Sequence, residues 1–397
     1  MKIKKTFPLF LAIFFLCGCS RGGSIYANYR EISQLQIIQT IGLDSGGGVV
    51  VTAWSTAGPG GTSPMLISRS GPSVPHTMDY LQDFAARENL FYSHINKVIF
   101  GEEAAREGVA EFLDCMERAP ALRLDTRLFI VCGGDAKSLM TGSSAESGAY
   151  NVTELLNSLV RDIESRGEGR VFDTSEVAQA LATGGSALVC AIKAAPTEGV
   201  IFSEHPEITI VPAGYAILKE ERLAGFLSGE AAYGVNLLQE RAYHIIMEAE
   251  APGGAVASIE IASDGLKFLP AWAGDGALER LDVEISLHAG ILDVSDEIDL
   301  NSPETIDALN AQISARAEQW VSEVLNTSRE LGADFLGLGA MLRRREPVRF
   351  AQMPVSWPET LPALETGVRV EASVERSFDL ENPVNIRGGG KTNVTGQ

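Results

Sequence analysis

The stretch "SHINKVIFGEEAAREGVAEFLDCMERAPALRLDTRLFIVCGGDAKSLM" (Ser93–Met140) sets the fold class. Two short apolar runs rich in β-branched residues, "HINKVIFG" and "RLFIVCGG", predict strands. Between them "EEAAREGVAEFLDCMER" predicts a helix, and "DAKSLMTG" begins one more. Glu102, Glu103 and Glu107 are explained as the acidic opening of that helix, where the macrodipole favours negative charge. Strand, helix, strand, helix is the alternation of a mixed α/β domain.

Upstream, "REISQLQIIQTIGLDSGGGVVVTAWS" predicts strand, turn and strand, with Ser45–Gly48 as the turn. "STAGPGGTSP" is a surface loop. Met78, Leu81, Phe84 and Ala85 then fall at helical spacing behind a cap at Thr77. Downstream, "NVTELLNSLVRDIES" and "TSEVAQALATGG" predict helices, and "SALVCAI" predicts a strand. Prolines and charges gather in "PTEGVIFSEHPE", which places the main domain boundary there.

Beyond it, "ITIVPAGYAILKEERLAGFLSGEAAYG" predicts two strands, a turn and a short helix. "GVNLLQERAYHIIMEA", "VASIEIASDGLKFLPAWA" and "LERLDVEISLHAGILDV" predict further strands. A long helix follows, capped by Ser302, with Pro303 in its first turn and Gly332 at its far end. Ile306, Leu309, Ile313, Ala317, Trp320 and Val324 form its apolar face, which should pack on a sheet. In "GVRVEASVERSF" Val368, Val370, Ala372 and Val374 alternate with polar residues, predicting a last strand with one wet face. The expected fold is therefore α+β or mixed α/β. It has at least two domains of mixed sheets packed by helices, with the long helix and terminal strand in the second.

The chain opens with Lys2, Lys4 and Lys5 and then runs apolar from Phe7 to Leu16. Ten residues of helix cover only about half of a ~30 Å hydrocarbon core, so the run is too short to span. A basic start, a short apolar stretch and small residues at the cut make a secretory leader. "LCGC" (Leu16–Cys19) resembles the bacterial lipobox, in which the thiol after the cut receives a diacylglyceryl group. Cys19 fits because Gly18 precedes it; Leu16 before Cys17 does not. Two acyl chains hold a protein stably where one does not. A formal net charge of −20 cannot substitute for lipid, since anionic headgroups repel it, and it argues against a nucleic-acid partner. The expected layout is a signal peptide at 1–18, a tether at 19–29, domains at 30–205 and 206–385, and a disordered tail at 386–397.

No catalytic constellation emerges. Cys115, Cys132 and Cys190 are widely spaced in apolar surroundings, which implies buried thiols rather than disulfides. His76, His94, His205, His244 and His288 show no metal-ligand spacing. "RGGGKT" lacks the first glycine of a phosphate-binding loop, since Asn385 stands there. "GLGAML" (Gly337–Leu342) lacks the third glycine of a dinucleotide fingerprint and is expected to be a helix stop and turn. No metal, cofactor or reaction is expected.

Four stretches carry a family resemblance. Arg30–Asp44 and Ser93–Met140 are similar to the N-terminal half of the Ger(x)C spore germination lipoproteins. Ala213–Gly234 and Glu330–Phe350, with Trp357 shortly beyond, resemble the C-terminal half. Ser20-Arg21 departs from the Trp-Asp common after the lipidated cysteine in that family. The resemblance implies the C subunit of a nutrient germinant receptor, anchored through diacylated Cys19 to the outer face of the spore's inner membrane. Its partners would be two membrane-embedded subunits, one of them permease-like. Two other anchored classes are the alternatives, the first also α/β and the second supported by the lipobox alone. A transporter's substrate-binding lipoprotein would show two similar lobes crossed by hinge strands, and a hydrolase would need a convergent acid, base or metal site.

Overall fold

A computed structural model describes residues 35–56, 63–85, 89–119, 122–144, 151–166, 169–197, 208–295 and 298–375. The leader, Cys19, the tether and the tail lie outside the described residues. β1 (Leu35–Ser45) and β2 (Val49–Ser55) form the expected hairpin, with Gly47 at φ 74° in the turn. β3 (Met65–Gly71) continues it antiparallel. On its other side β1 pairs in parallel with β5 (Lys97–Phe100), β5 with β6 (Arg127–Val131), and β6 with β7 (Ser186–Pro196). β4 (Asn89–Phe91) joins the start of β1. β8 (Ile208–Lys219) and β9 (Arg222–Leu227) extend the other edge antiparallel, giving nine strands in all.

Helices cover both faces, so the central parallel strands are apolar on both sides. Val98, Phe100, Leu128 and Ile130 pack with Leu81 of α1 (Val74–Phe84) and with Phe112 and Met116 of α3 (Ala110–Arg118). Ile99, Phe129 and Val131 pack with α4 (Ala136–Gly142) and α5 (Val152–Arg166). α2 (Glu102–Glu107) and α6 (Thr174–Gly184) complete the first body; α6 carries a full capping box from Asp173 and Glu176.

Several expectations change in detail. α1 starts three residues before Thr77, because Ser73 is its cap and Pro75 suits a first turn; Thr77 Oγ1 instead donates to Ser73 O at 2.7 Å. The single helix expected after Gly101 is two, broken at Gly108 with φ 139°. The boundary expected at residue 205 lies outside the described residues, but the first sheet runs past it. β7 pairs with β8 from Ser186↔Lys219 to Pro196↔Ile208, so residues 208–227 complete the first sheet. Composition marked the loop between the two strands and was blind to their pairing.

The second body begins at α7 (Glu230–Leu238). It takes in Gly234–Leu238, where a strand was expected. A Cβ on Gly234 would sit 2.3 Å from the Trp320 carbonyl oxygen, so glycine here lets two helices close together. β10 (Ile245–Glu250), β11 (Val256–Trp272) and β12 (Leu278–Val294) form an antiparallel meander. β13 (Glu365–Glu375) then adds in parallel to β12, which demands a long crossover. α8 (Pro303–Leu331) is its longest element, with Ser302 as cap and Gly332 closing it at φ 56°. Leu309, Ile313, Ala317, Trp320 and Val324 are buried, as the periodicity requires.

α8 also closes the sheet's edges. Val370, Ala372 and Val374 of β13 donate their amides to Glu318 Oε1 (3.0 Å), Ser314 Oγ (3.1 Å) and Asn310 Oδ1 (2.9 Å). Four helical residues advance ~6 Å and two strand residues ~6.6 Å, so side chains spaced by four match amides spaced by two. Gln312, on the opposite side of the helix, bonds both the amide and the carbonyl of Glu250 in β10. Replacing Asn310 and Glu318 together by alanine should cost about 1 kcal/mol per lost bond in denaturant unfolding. It should also speed amide exchange at Val370 and Val374; protection equal to the parent's would refute the edge-closing role.

Lys97 is an anomaly inside the first sheet, 2% exposed, with Nζ 2.9 Å from Asn96 Oδ1. Burial, helped by Arg127 and opposed by Glu154, pushes it down to about 8 from 10.5. Between those values the folded chain binds fewer protons than the unfolded one, so stability rises with pH across that window and is lost as pH falls through about 8. Lys97→Met should therefore raise the melting temperature at pH 7, with the gain shrinking as pH climbs towards 10.5. A gain independent of pH would contradict the buried-charge account.

Candidate functional site

The stretches that carry the family resemblance fold into buried polar clasps. In the C-terminal half, α8 ends at Gly332 and the chain turns through Asp334 into α9 (Leu338–Arg345). Asp334 Oδ1 accepts from the Leu338 amide (2.7 Å), and Oδ2 accepts from the Gly339 amide (2.8 Å) and Trp357 Nε1 (2.9 Å). These two amides belong to a helix start that would otherwise be unsatisfied. Burial pushes the Asp334 carboxyl up, while the three donors pull against it. Gly337 takes φ 73°, and a Cβ on Gly339 would lie 2.5 Å from Trp357 Nε1. "GLGAML" thus starts a helix instead of stopping one: its first glycine makes the turn and its second admits the indole. Trp357 opens α11 (Trp357–Thr360), beyond α10 (Pro347–Ala351), and stacks near Phe350 with centroids 6.2 Å apart.

Further contacts tie the elements around this clasp together. Lys219 Nζ at the end of β8 donates to Leu331 O at 2.7 Å. Glu230 at the start of α7 accepts from Trp320 Nε1 at 2.6 Å and pairs with Arg316; the Arg316 and Trp320 bonds hold its carboxyl below the usual range. Buried Tyr215 donates to Asn236 at 2.5 Å, linking β8 to α7. Between α6 and α9 lies a cleft of about 340 Å³, lined by Glu176, Thr183, Ser186, Gln239, Asp334 and Trp357 among others. Both Asp334 oxygens are already engaged there.

The N-terminal stretches make a second clasp at the carboxyl ends of β1, β5 and β6. Open α/β sheets bind ligands at that end, often a phosphate on a helix N-terminus. Here Asp44 occupies the position. Its Oδ1 accepts from the Ala136 amide (2.7 Å) and its Oδ2 from the Lys137 amide (2.9 Å), seating α4 against β1. Burial pushes this carboxyl up, and those two bonds pull it back. Gly101 leaves room for it, since a Cβ there would lie 2.2 Å from Asp44 Oδ1. Glu102 accepts from the Gly133 amide (2.7 Å) and Asp135 from the Ser138 amide (2.7 Å). Asp44, Glu102 and Asp135 are thus bound to the protein's own amides.

Cys19, the one site residue expected from the sequence, lies outside the described residues. Among the described residues no group of three His, Cys, Asp or Glu side chains is arranged to hold a metal. The histidines stand apart: His244 meets Glu260 at 2.7 Å and His288 meets Glu375 at 3.5 Å, both on the surface, and His205 lies outside the described residues. Cys115 and Cys132 are half-buried, Cys190 is buried, and all three are free. Sequence reasoning missed Asp44, Asp334 and Trp357 as clasp residues; the glycine-flanked carboxylates in "GLD" and "GADFLGLG" were the available signal.

Asp334→Ala should cost about 3 kcal/mol or more, since it strands three buried donors at ~1–3 kcal/mol each. Trp357→Phe, which strands none of those amides, should cost markedly less. Equal losses in denaturant unfolding would show that packing, and not the carboxylate, holds the turn.

Comparison with known proteins gives one consistent result. Residues 28–194 match the family profile "Spore germination protein N-terminal domain", and residues 213–378 match "Spore germination B3/GerAC like, C-terminal". Spore germination protein KC of Bacillus subtilis (strain 168) is 22% identical over 393 residues, spanning 89% of this chain and 92% of that protein. The crystal structure of the GerBC protein superposes with a TM-score of 0.52 at 16% identity, covering 85% of this chain and 97% of GerBC, which establishes a shared fold. The two profiles cover most of the chain in order, and the chain is a member of the Ger(x)C family of spore germination proteins.

Proposed function

We propose that this protein is the lipid-anchored, non-catalytic C subunit of a nutrient germinant receptor. The observation that carries the reading is that both family domains match in order, with likeness along 92% of a spore germination protein. Residues 1–18 act as the export signal, and Cys19 becomes the acylated amino terminus. Residues 19–29 tether the body, whose first sheet runs through Leu227 and whose second part begins at Glu230, and a tail follows at 386–397. Among the described residues no helix is long and apolar enough to cross a membrane, so attachment is assigned to the two acyl chains.

The body then sits on the outer face of the spore's inner membrane beside two membrane-embedded subunits, one permease-like. Confinement to the membrane plane raises its effective concentration near them. Its clasps hold a shaped surface for contact, and the permease-like subunit is assigned the nutrient pocket. Cys19→Ala should shift the protein from the membrane to the soluble fraction of spores and slow nutrient-triggered germination. Full membrane retention in that variant would overturn the anchoring role.

A further inference from the structure

α1 and α3 lie side by side over the first sheet and leave a groove of about 650 Å³ between them. Met78, Leu90, Tyr92, Cys115 and Leu122 give it an apolar bed. Its inner polar groups are already paired. Tyr92 Oη donates to Met78 O (2.9 Å), Gln82 Oε1 accepts from the Leu90 amide (2.9 Å), and Asp114 holds Arg118 at 2.7 Å. A small polar ligand is oriented by a few convergent polar groups that await it, and this groove presents none from its bed. Apolar side chains from a partner element fit it instead.

The rim adds charge. Asp79, Glu111 and Asp114 stand against Arg118 alone, so the rim is net negative, as is the whole chain. Asp79 is exposed on this rim. The groove also lies where the chain enters the fold: Leu90 is the ladder partner of Gln36 at the start of β1. The stretch from Cys19 to Leu35, about 16 residues, reaches at most ~55 Å even when fully extended. An anchor at Cys19 therefore keeps this end of the sheet within reach of the bilayer.

We propose that the α1–α3 groove receives an amphipathic helical segment of a membrane-embedded partner subunit, with apolar residues at i and i+4 filling the bed and a flanking Lys or Arg meeting Asp79. This rests on the receptor reading above. The test uses the full lipoprotein in spores, with a photo-crosslinking residue at Pro75 on the groove and, as control, at Glu371 on the outer face of the second sheet. The expected adduct forms from position 75 and not 371. Mass spectrometry should map it to a helix of a co-purifying subunit that carries a basic residue beside its apolar stripe.

Asp79→Arg should weaken co-purification about five-fold without lowering the melting temperature, and a partner Lys→Glu change should restore it. If the partners co-purify but the adduct maps elsewhere, or native mass spectrometry finds a small molecule filling the groove, the docking assignment falls and the receptor reading stands. If no membrane-embedded subunit co-purifies with the anchored parent protein, both fall.

Discussion

The second body depends on one match of spacing, that between α8 and the strands beside it. A sheet of four strands has two open edges, each a row of unpaired amides and carbonyls that invites another chain. Asn310, Ser314 and Glu318 serve one edge and Gln312 the other, from opposite sides of the same helix. The apolar stripe between them fills the inner face. One element thus supplies the core, finishes both margins and carries the chain across to make β13 parallel to β12. It is tied in turn at its middle, where Trp320 and Arg316 bond Glu230, and at its end, where Leu331 O accepts from Lys219.

From this spine the polar clasps reach the first body. A single apolar cluster runs from the α1, α3 and α6 face of the nine-stranded sheet through α7 into the second sheet. The buried carboxylates Asp44 and Asp334 do similar work, binding amides that a helix start would leave bare. Asp44 has a functional consequence as well. It fills with the protein's own charge the seat where related architectures hold a phosphate, so the Ala136 and Lys137 amides there are already taken.

Much of this was legible because it follows from periodicity. Ser302, Pro303 and Gly332 marked α8 to the residue, and the alternation of Val368, Val370 and Val374 marked β13. The α/β alternation around Ser93–Met140 carried the class of the first body. Other features depend on partners distant in sequence. Asn310, Ser314 and Glu318 read as an ordinary wet flank of a helix until β13, some fifty or more residues on, is laid beside them. At Gly234 and Gly339 nothing local announces that Trp320 and Trp357 will press on them. The continuation of the first sheet through Leu227 was hidden for the same reason: antiparallel pairing leaves no mark on composition.

The parallel joining of β13 to β12 sets an order of events in time. A chain that is delivered amino end first can assemble the nine-stranded sheet as soon as β9 has emerged, but the other sheet stays unfinished until nearly the last described residue arrives. Until then one flank of β12 is bare and the acceptors on α8 face nothing. Shortening the chain before Glu365 would leave that half permanently without its final rung, while leaving the other half all of its strands.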